Sequence, residues 1–397
     1  MEKQIQSTPG RIDVADALRG LAVMGIVILH SIEHFNFYSF PPTDSAWLSF
    51  SNTAIWNGLF FTFGGKAYAI FAFLFGFSFY IQDYNHTKRG GDFRLRFLWR
   101  LLLLFLIGQL NASFFTGEVL VMYALLGFVL PLCSRLPNKL LLLVAVLLFI
   151  QPMEWSKLIY AMAHPDYVPA ALASSQYWGI TGAVQGGGTF LETLKVNLWE
   201  GQLASLTWSW ENGRIFQTPG LFLLGLWIGR KKLFEYSEKN IHFWMGLLAI
   251  SLICFFPLSG LRGMVPDYVQ NGTLRTPLSL ILKSYADLSF MLFLVSGVVL
   301  VYYLSPLQSL LRKILPYGKM SLTNYITQSL IGSFLFYNWG LKLDIGTTGS
   351  ALIGICLFSL QLAFCTWWMK HHTHGPLEYL WKKATWIGSK RKIVINK

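Results

Sequence analysis

Long apolar runs recur along this chain, and they restrict its fold more than any other feature. "LWRLLLLFLIGQL" at 98–110 and "KLLLLVAVLLFI" at 139–150 belong to ten such segments, near residues 14–34, 59–83, 94–113, 118–135, 139–155, 214–229, 242–260, 284–304, 320–338 and 349–369. A bilayer core about 30 Å thick takes roughly 20 apolar residues as a helix. In lipid the backbone must satisfy its own polar groups, so helices are the economical answer for runs of this length. The expectation is an all-α, polytopic integral membrane protein with about ten transmembrane helices in one helical domain over 1–397. Only 13% of the residues are charged, about half the share of a soluble domain. The start, "MEKQIQSTPGRIDVADALRG", lacks a short apolar core followed by a small-residue cleavage site. The first span is therefore read as a retained helix.

A net charge of +13 could point to nucleic acid, but its distribution points to topology. With the N-terminus in the cytoplasm, cytoplasmic segments hold 24 of the 32 Lys and Arg, outer segments hold 7, and Lys66 lies within a span. That asymmetry follows the positive-inside rule and predicts that both termini are cytoplasmic. Membrane lipids are the expected partners, with some affinity for anionic ones; nucleic acid is not implied. The N-terminus 1–13 is cytoplasmic on this reading, 156–213 is a long outer loop, and 261–283 is a second one. The tail 370–397 alternates rings with Lys and Arg, as a helix lying on the membrane surface does. Cys133, Cys254, Cys356 and Cys365 form no Cys-x-x-Cys pair and read as small buried hydrophobes. Oligomeric state is not legible, because lipid-facing and subunit-facing apolar surfaces have the same composition.

Polar groups inside apolar spans are costly and so are candidates for function. Arg19 and His30 are eleven residues apart, about three helical turns, which puts them on nearly one face roughly 16 Å apart along the axis. Asp16, one turn before Arg19, can pair with it. His30, Glu33 and His34 spell H-x-x-E-H, a zinc peptidase spacing, but no third ligand follows in a recognisable context, and no metal is expected. Lys66 follows two glycines in the second span. Glu118 starts the fourth, with Tyr123 further in. Ser321, Asn324 and Gln328 share one face of the ninth, a pattern that helix–helix hydrogen bonding also explains. Arg94, Arg96 and Arg100 are cytoplasmic and suit anchoring or an anion site.

The motifs "RIDVADALRGLAVMGIVILH", "GGKAYAIFAFLFGFSFYIQ", "GEVLVMYALLGF", "GRIFQTPGLFLLGLWIG", "GKMSLTNYITQSLI" and "HGPLEYLWKK" run in one order from about residue 11 to 390. In that order they resemble the YeiB-like family of bacterial multipass membrane proteins, with its DUF418-type C-terminal region. The resemblance implies a bacterial inner-membrane location and a grouping with the transmembrane acyltransferases, which include sugar O-acyltransferases and a heparan glucosaminide acetyltransferase. The sugar O-acyltransferases carry Arg, ten residues, then His on their first helix, as Arg19 and His30 do here. The sequence departs from the family pattern where His30 stands for Asn and Asn111 for a third-span His.

On this resemblance the chain is expected to move an acyl group from cytoplasmic acyl-CoA to an extracytoplasmic sugar or other envelope acceptor. Acetyl-CoA is then a co-substrate, with no bound cofactor. A base near neutrality is needed to deprotonate a hydroxyl or amine, and His30 would be that base or a transient acyl carrier. Asn111, Asn324 or Lys66 would steady the developing oxyanion. Arg19 and the Arg94, Arg96 and Arg100 group would hold the donor's phosphates. The alternatives are a transporter or flippase whose pathway the same groups line, and a membrane sensor without turnover. Transporters usually show internal repeats, and none is visible in this sequence.

Overall fold

A computed structural model describes residues 12–388 apart from Phe37 and Ser39. Most of the expected cytoplasmic N-terminus and the last nine residues of the basic tail lie outside the described residues. Within them the chain is all-helical, with no β-strand. The helices are α1 (Asp13–Ile32), α2 (Ala46–Thr62), α3 (Lys66–Thr87), α4 (Arg94–Ala112), α5 (Leu120–Leu126), α6 (Val129–Cys133), α7 (Asn138–Phe149), α8 (Pro152–Ala163) and α9 (Ala173–Gly187). They continue as α10 (Phe190–Val196), a π turn (Asn197–Gly201), α11 (Gln202–Glu211), α12 (Arg214–Arg230), α13 (Glu238–Tyr268), α14 (Gly272–Leu304), α15 (Gln308–Lys319), α16 (Ser321–Phe336), α17 (Thr347–Trp368) and α18 (Pro376–Thr385).

Among the described residues six helical segments are long and apolar enough to cross a membrane: α1, α2 with α3, α4, α13, α14 and α17. The pair α7 and α8, bent by 43° at Ile150–Gln151, would make a seventh. The segments expected at 118–135, 214–229 and 320–338 fall on shorter helices, 5 to 17 residues long. Two expected loops are largely helical instead. The 156–213 segment forms the end of α8 and then α9 to α11, with Thr189 and Glu192 making a reciprocal capping box at the start of α10. In the 261–283 segment α13 runs on to Tyr268 and α14 begins at Gly272. At 31 and 33 residues these helices are longer than a bilayer core needs, so their polar ends can stand outside it and stay helical. The second expected span is also interrupted, because Gly65 adopts φ +76° and turns the chain between α2 and α3.

Packing puts α1 at the centre. Sixteen of its 20 residues are buried, as for a helix apolar on all sides. By contrast α13 turns Ile253 and Phe256 outward, 69% and 64% exposed, which suits a lipid-facing surface. Close approach of α3 and α12 depends on glycine. A Cβ at Gly225 would overlap the Phe73 carbonyl, and one at Gly76 would overlap the Phe222 carbonyl. Both obstacles are backbone and cannot swing aside. Gly225→Val is therefore expected to destabilise the fold by at least ~2 kcal/mol, seen as a lower thermal midpoint of the detergent-purified protein; an unchanged midpoint would mean that the two helices can separate without loss.

The tail helix α18 returns to the bundle. Glu378 accepts hydrogen bonds from the backbone N–H groups of Leu322 (2.7 Å) and Thr323 (3.0 Å) and from the Thr323 hydroxyl (2.6 Å), capping α16 from another element. A lost cap costs about 1 kcal/mol, and these bonds are charge-assisted. Glu378→Ala is expected to lower stability by ~1–2 kcal/mol and to speed amide exchange at Leu322 and Thr323. Equal exchange in the variant would remove Glu378 from this role.

Candidate functional site

His30 lies in the last turn of α1 and is buried. Its Nδ1 is 3.1 Å from the Gln328 amide nitrogen on α16. The Phe115 ring lies 4.6 Å away between centroids, and His34 lies edge-on at 5.4 Å. While Gln328 donates to Nδ1, the ring proton sits on Nε2. The buried Gln328 Oε1 has no partner among the described residues. Turning the amide over would let Nδ1–H donate to that oxygen and leave Nε2 with its lone pair free. One residue can thus hold either tautomer of the imidazole.

His30 borders a cavity of about 1000 Å³ built by α1, α2, α3, the turn before α5, α9, α11, the start of α12, α13 and α14. This is the upper end of the size range for ligand sites. Phe60, Phe61, Phe63 and Phe255 give it an aromatic wall, while Glu33, His34, Lys66, Glu118, Arg214, Arg262, Lys283 and Asp287 give it charge. Lys66 reaches it because the α2–α3 turn aims it inward. Its Nζ is 2.9 Å from Asp287 Oδ1, and Lys283 Nζ is 2.6 Å from Asp287 Oδ2. One carboxylate therefore serves two ammonium groups. Gly65 makes room for the pair, since a Cβ there would lie 2.8 Å from Asp287 Oδ2.

Arg214 opens α12 and lies between two rings, with its guanidinium carbon 4.0 Å from the centroid of Tyr68 and 4.2 Å from that of Trp208. Glu118 accepts hydrogen bonds from the Asn111 amide and the Leu120 N–H. His34 stacks on Trp178 at 5.8 Å. Among the described residues no three His, Cys, Asp or Glu side chains cluster as metal ligands would.

The sequence-predicted residues divide into two groups. His30, Lys66 and Glu118 line the cavity, and Gln328 touches His30 directly. The others lie away from it. Arg19 pairs with Asp16 at 2.6 Å and donates to the Ser78 hydroxyl at 3.0 Å, toward the opposite end of α1. Asn111 is buried and donates to Glu118. Asn324 donates to the Tyr317 carbonyl (3.1 Å) and accepts from the Cys365 thiol (3.3 Å), both inside the helix bundle. The Tyr123 hydroxyl donates to the Tyr68 carbonyl at 2.8 Å. Ser321 begins α16 beside its Glu378 cap.

The three α4 arginines are already engaged. Arg94 holds Asp92 at 2.6 Å, and that hydrogen-bonded contact pulls the Asp92 carboxyl down to about 2. Arg96 donates to the carbonyls of Thr385 and Ile387, and Arg100 lies 3.5 Å over the Trp381 ring. Together Arg96 and Arg100 fasten α18 to α4, and the three do not converge on a shared open face.

Cavity residues outside the sequence candidates include Trp208, Arg214, Lys283 and Asp287. Asp287 could have been found as an acid within an apolar span, one helical turn from Lys283. Arg214 gives a fainter signal, a cation opening a span directly after Asn212-Gly213.

The family described as "Protein of unknown function (DUF418)" matches residues 228–388. Over nearly its whole length the chain is similar to "Uncharacterized protein YxaH" of Bacillus subtilis, 27% identical, with 96% of this chain and 95% of that protein covered. It is 26% identical to "Uncharacterized 39.9 kDa protein in amylase 3'region" of Bacillus acidopullulyticus, with 95% and 94% covered. With "Uncharacterized protein YeiB" of Escherichia coli it shares 24% identity, with 93% and 95% covered.

Proposed function

We propose that this chain, which belongs to the YeiB-like family with a DUF418 region, is a membrane-bound acyltransferase whose chemistry takes place in the His30 cavity. One observation carries the reading: a buried imidazole at the edge of a ligand-sized cavity, held at Nδ1 by an amide that can serve either tautomer. That is what a general base needs, a free nitrogen facing the reactant and a fixed ring behind it. In the reaction, with the Gln328 amide turned over so that Nδ1–H donates to its oxygen, His30 Nε2 takes the proton of an acceptor hydroxyl or amine as that atom bonds to the thioester carbonyl. The C–S bond then breaks, and His30 returns the proton to the departing thiolate. Lys66 borders the same cavity and is assigned to the developing oxyanion.

The finer topology belongs to the same proposal. A bacterial inner-membrane location with both termini cytoplasmic belongs to this reading, and the distribution of Lys and Arg supports that orientation; ten spans would also require the shorter helices α5 with α6, α12 and α16 to cross. With that orientation the cavity opens to the outer side, where an envelope glycan or other acceptor is available. Acyl-CoA would approach from the cytoplasmic end, where Arg19 lies, and its acyl group would cross roughly 16 Å of α1 to reach His30. In this assignment Asn111 and Asn324 position their neighbours, Arg96 and Arg100 anchor the tail helix, and Arg94 holds Asp92. One feature favours transport instead: a helix broken at Gly64–Gly65 beside a buried ion pair.

Blocking the cavity tests the assignment. Ser175 lines it and is exposed. In a background with the four native cysteines changed to Ser, Ser175→Cys carries a thiol there. Reaction with a charged, membrane-impermeant thiol reagent is expected to stop CoA release from acetyl-CoA in the presence of pooled envelope glycans. Full turnover by the blocked protein would place the chemistry elsewhere.

A further inference from the structure

We infer that the recess beside Arg214 is a phosphate-binding subsite, so that the substrate in the cavity carries a phosphate group. Off the main cavity lies a smaller space of about 70 Å³, bordered by Tyr68, Trp208, Asn212, Arg214, Lys283 and Ser284. That is room for a group of a few heavy atoms, since a water molecule occupies about 30 Å³ in the liquid. Most of these residues also border the large cavity, so a ligand there can place one group in the recess.

The charges identify the group. The Arg214 guanidinium lies over the rings of both Tyr68 and Trp208, and no carboxylate pairs with it among the described residues. Held between these rings, the guanidinium keeps N–H groups to donate, and a planar guanidinium recognises carboxylate or phosphate through two parallel bonds. Lys66 and Lys283 share a single counter-ion, Asp287. Bordering the recess, Arg214 and Lys283 against Asp287 leave +1, and Lys66 on the adjoining cavity wall brings the group to +2. A carboxylate ligand would neutralise only half of it, whereas a phosphate monoester carries about −1.5 to −2 at neutral pH. Asn212 and Ser284 add neutral hydrogen-bonding groups for further phosphate oxygens. The aromatic wall at Phe60, Phe61 and Phe255 then suits an apolar portion of the same molecule. Stacking alone would explain Arg214 as a pin between α11 and α12, but a pin needs no second cation beside an open recess.

This inference builds on the cavity assigned to acyl transfer, but its readout is binding alone, so failure of the transfer reading leaves it standing. The test is calorimetric titration of the detergent-purified full chain with inorganic phosphate and with dihexanoyl phosphatidic acid, using dihexanoyl phosphatidylcholine as the zwitterionic control. Binding of at least one phosphate monoanion or dianion is expected. Arg214→Gln should weaken it at least ten-fold, and Arg214→Lys, which keeps the charge but loses the planar fork, several-fold. Phosphatidic acid binding well above inorganic phosphate would mean a phosphate attached to a lipid-like body. Equal affinities would mean that the phosphate group alone is recognised. Three results overturn the inference: no binding of either phosphate by the wild type, phosphatidylcholine binding as tightly as phosphatidic acid, or undiminished binding by a folded Arg214→Gln or Arg214→Lys protein.

Discussion

Replacing His30 with Gln is expected to reduce acyl transfer at least ~100-fold, the lower end of what a positioned general base contributes. Gln fills much the same space and keeps a hydrogen-bonding group opposite Gln328, so the α1–α16 contact survives. What is lost is a nitrogen that can accept a proton and give it back. His30 is buried against Phe115 and Tyr325, with centroid distances of 4.6 and 6.3 Å. Small, well-packed changes there should leave the thermal midpoint within a few degrees of wild type. A variant that transfers normally would remove His30 from the chemistry. One that fails to fold would be replaced by His30→Asn, the residue that the family resemblance expects at this position.

The second large effect is on stability. Asp287 is 9% exposed at its side chain and holds Lys66, 10% exposed, together with Lys283, 41% exposed. Asp287→Asn leaves two ammonium groups side by side with no counter-ion. Removing one partner of a buried pair typically costs 3–5 kcal/mol, and because this pair borders a wet cavity we expect about 3 kcal/mol. Lys283→Met should cost under ~1 kcal/mol, since an exposed cation contributes little. The double change Lys66→Met with Asp287→Leu should regain most of the loss, because an apolar pair replaces a buried ionic one at little cost. Thermal or denaturant unfolding of the purified proteins measures all three. If Asp287→Asn is as stable as wild type, the carboxylate is not holding the two lysines in place.

How much of this was legible in the sequence depends on whether the signal was local. The first helix was predicted at 14–34 and is found at Asp13–Ile32, because an unbroken apolar run needs no tertiary information to be seen. The Asp16–Arg19 pair followed from one-turn spacing and is present at 2.6 Å. The helix α2 was missed: Ser49, Ser51, Asn52 and Thr53 interrupt its apolar pattern, and Asn52 instead accepts from the Thr348 N–H (2.9 Å) and hydroxyl (2.7 Å) on α17. The 156–213 segment looked like a loop because its Gly, Pro and Ser content hides α9 and α11, which tertiary contacts hold as one wall of the cavity. Site residues followed the same division. His30 and Lys66 stood out as polar groups in apolar runs. The Arg214 clamp did not, because Tyr68 and Trp208 come from different parts of the chain and only the fold brings them together.

The most direct test of the account follows acetyl groups from radiolabelled acetyl-CoA in proteoliposomes, with pooled envelope glycans supplied on the cavity side and the wild type set beside His30→Gln. The account predicts label on the glycan fraction and stoichiometric release of CoA, with both reduced at least ~100-fold in the variant. Label that reaches glycans equally well without His30 would contradict it, as would wild-type protein that releases no CoA and transfers no label with any acceptor fraction.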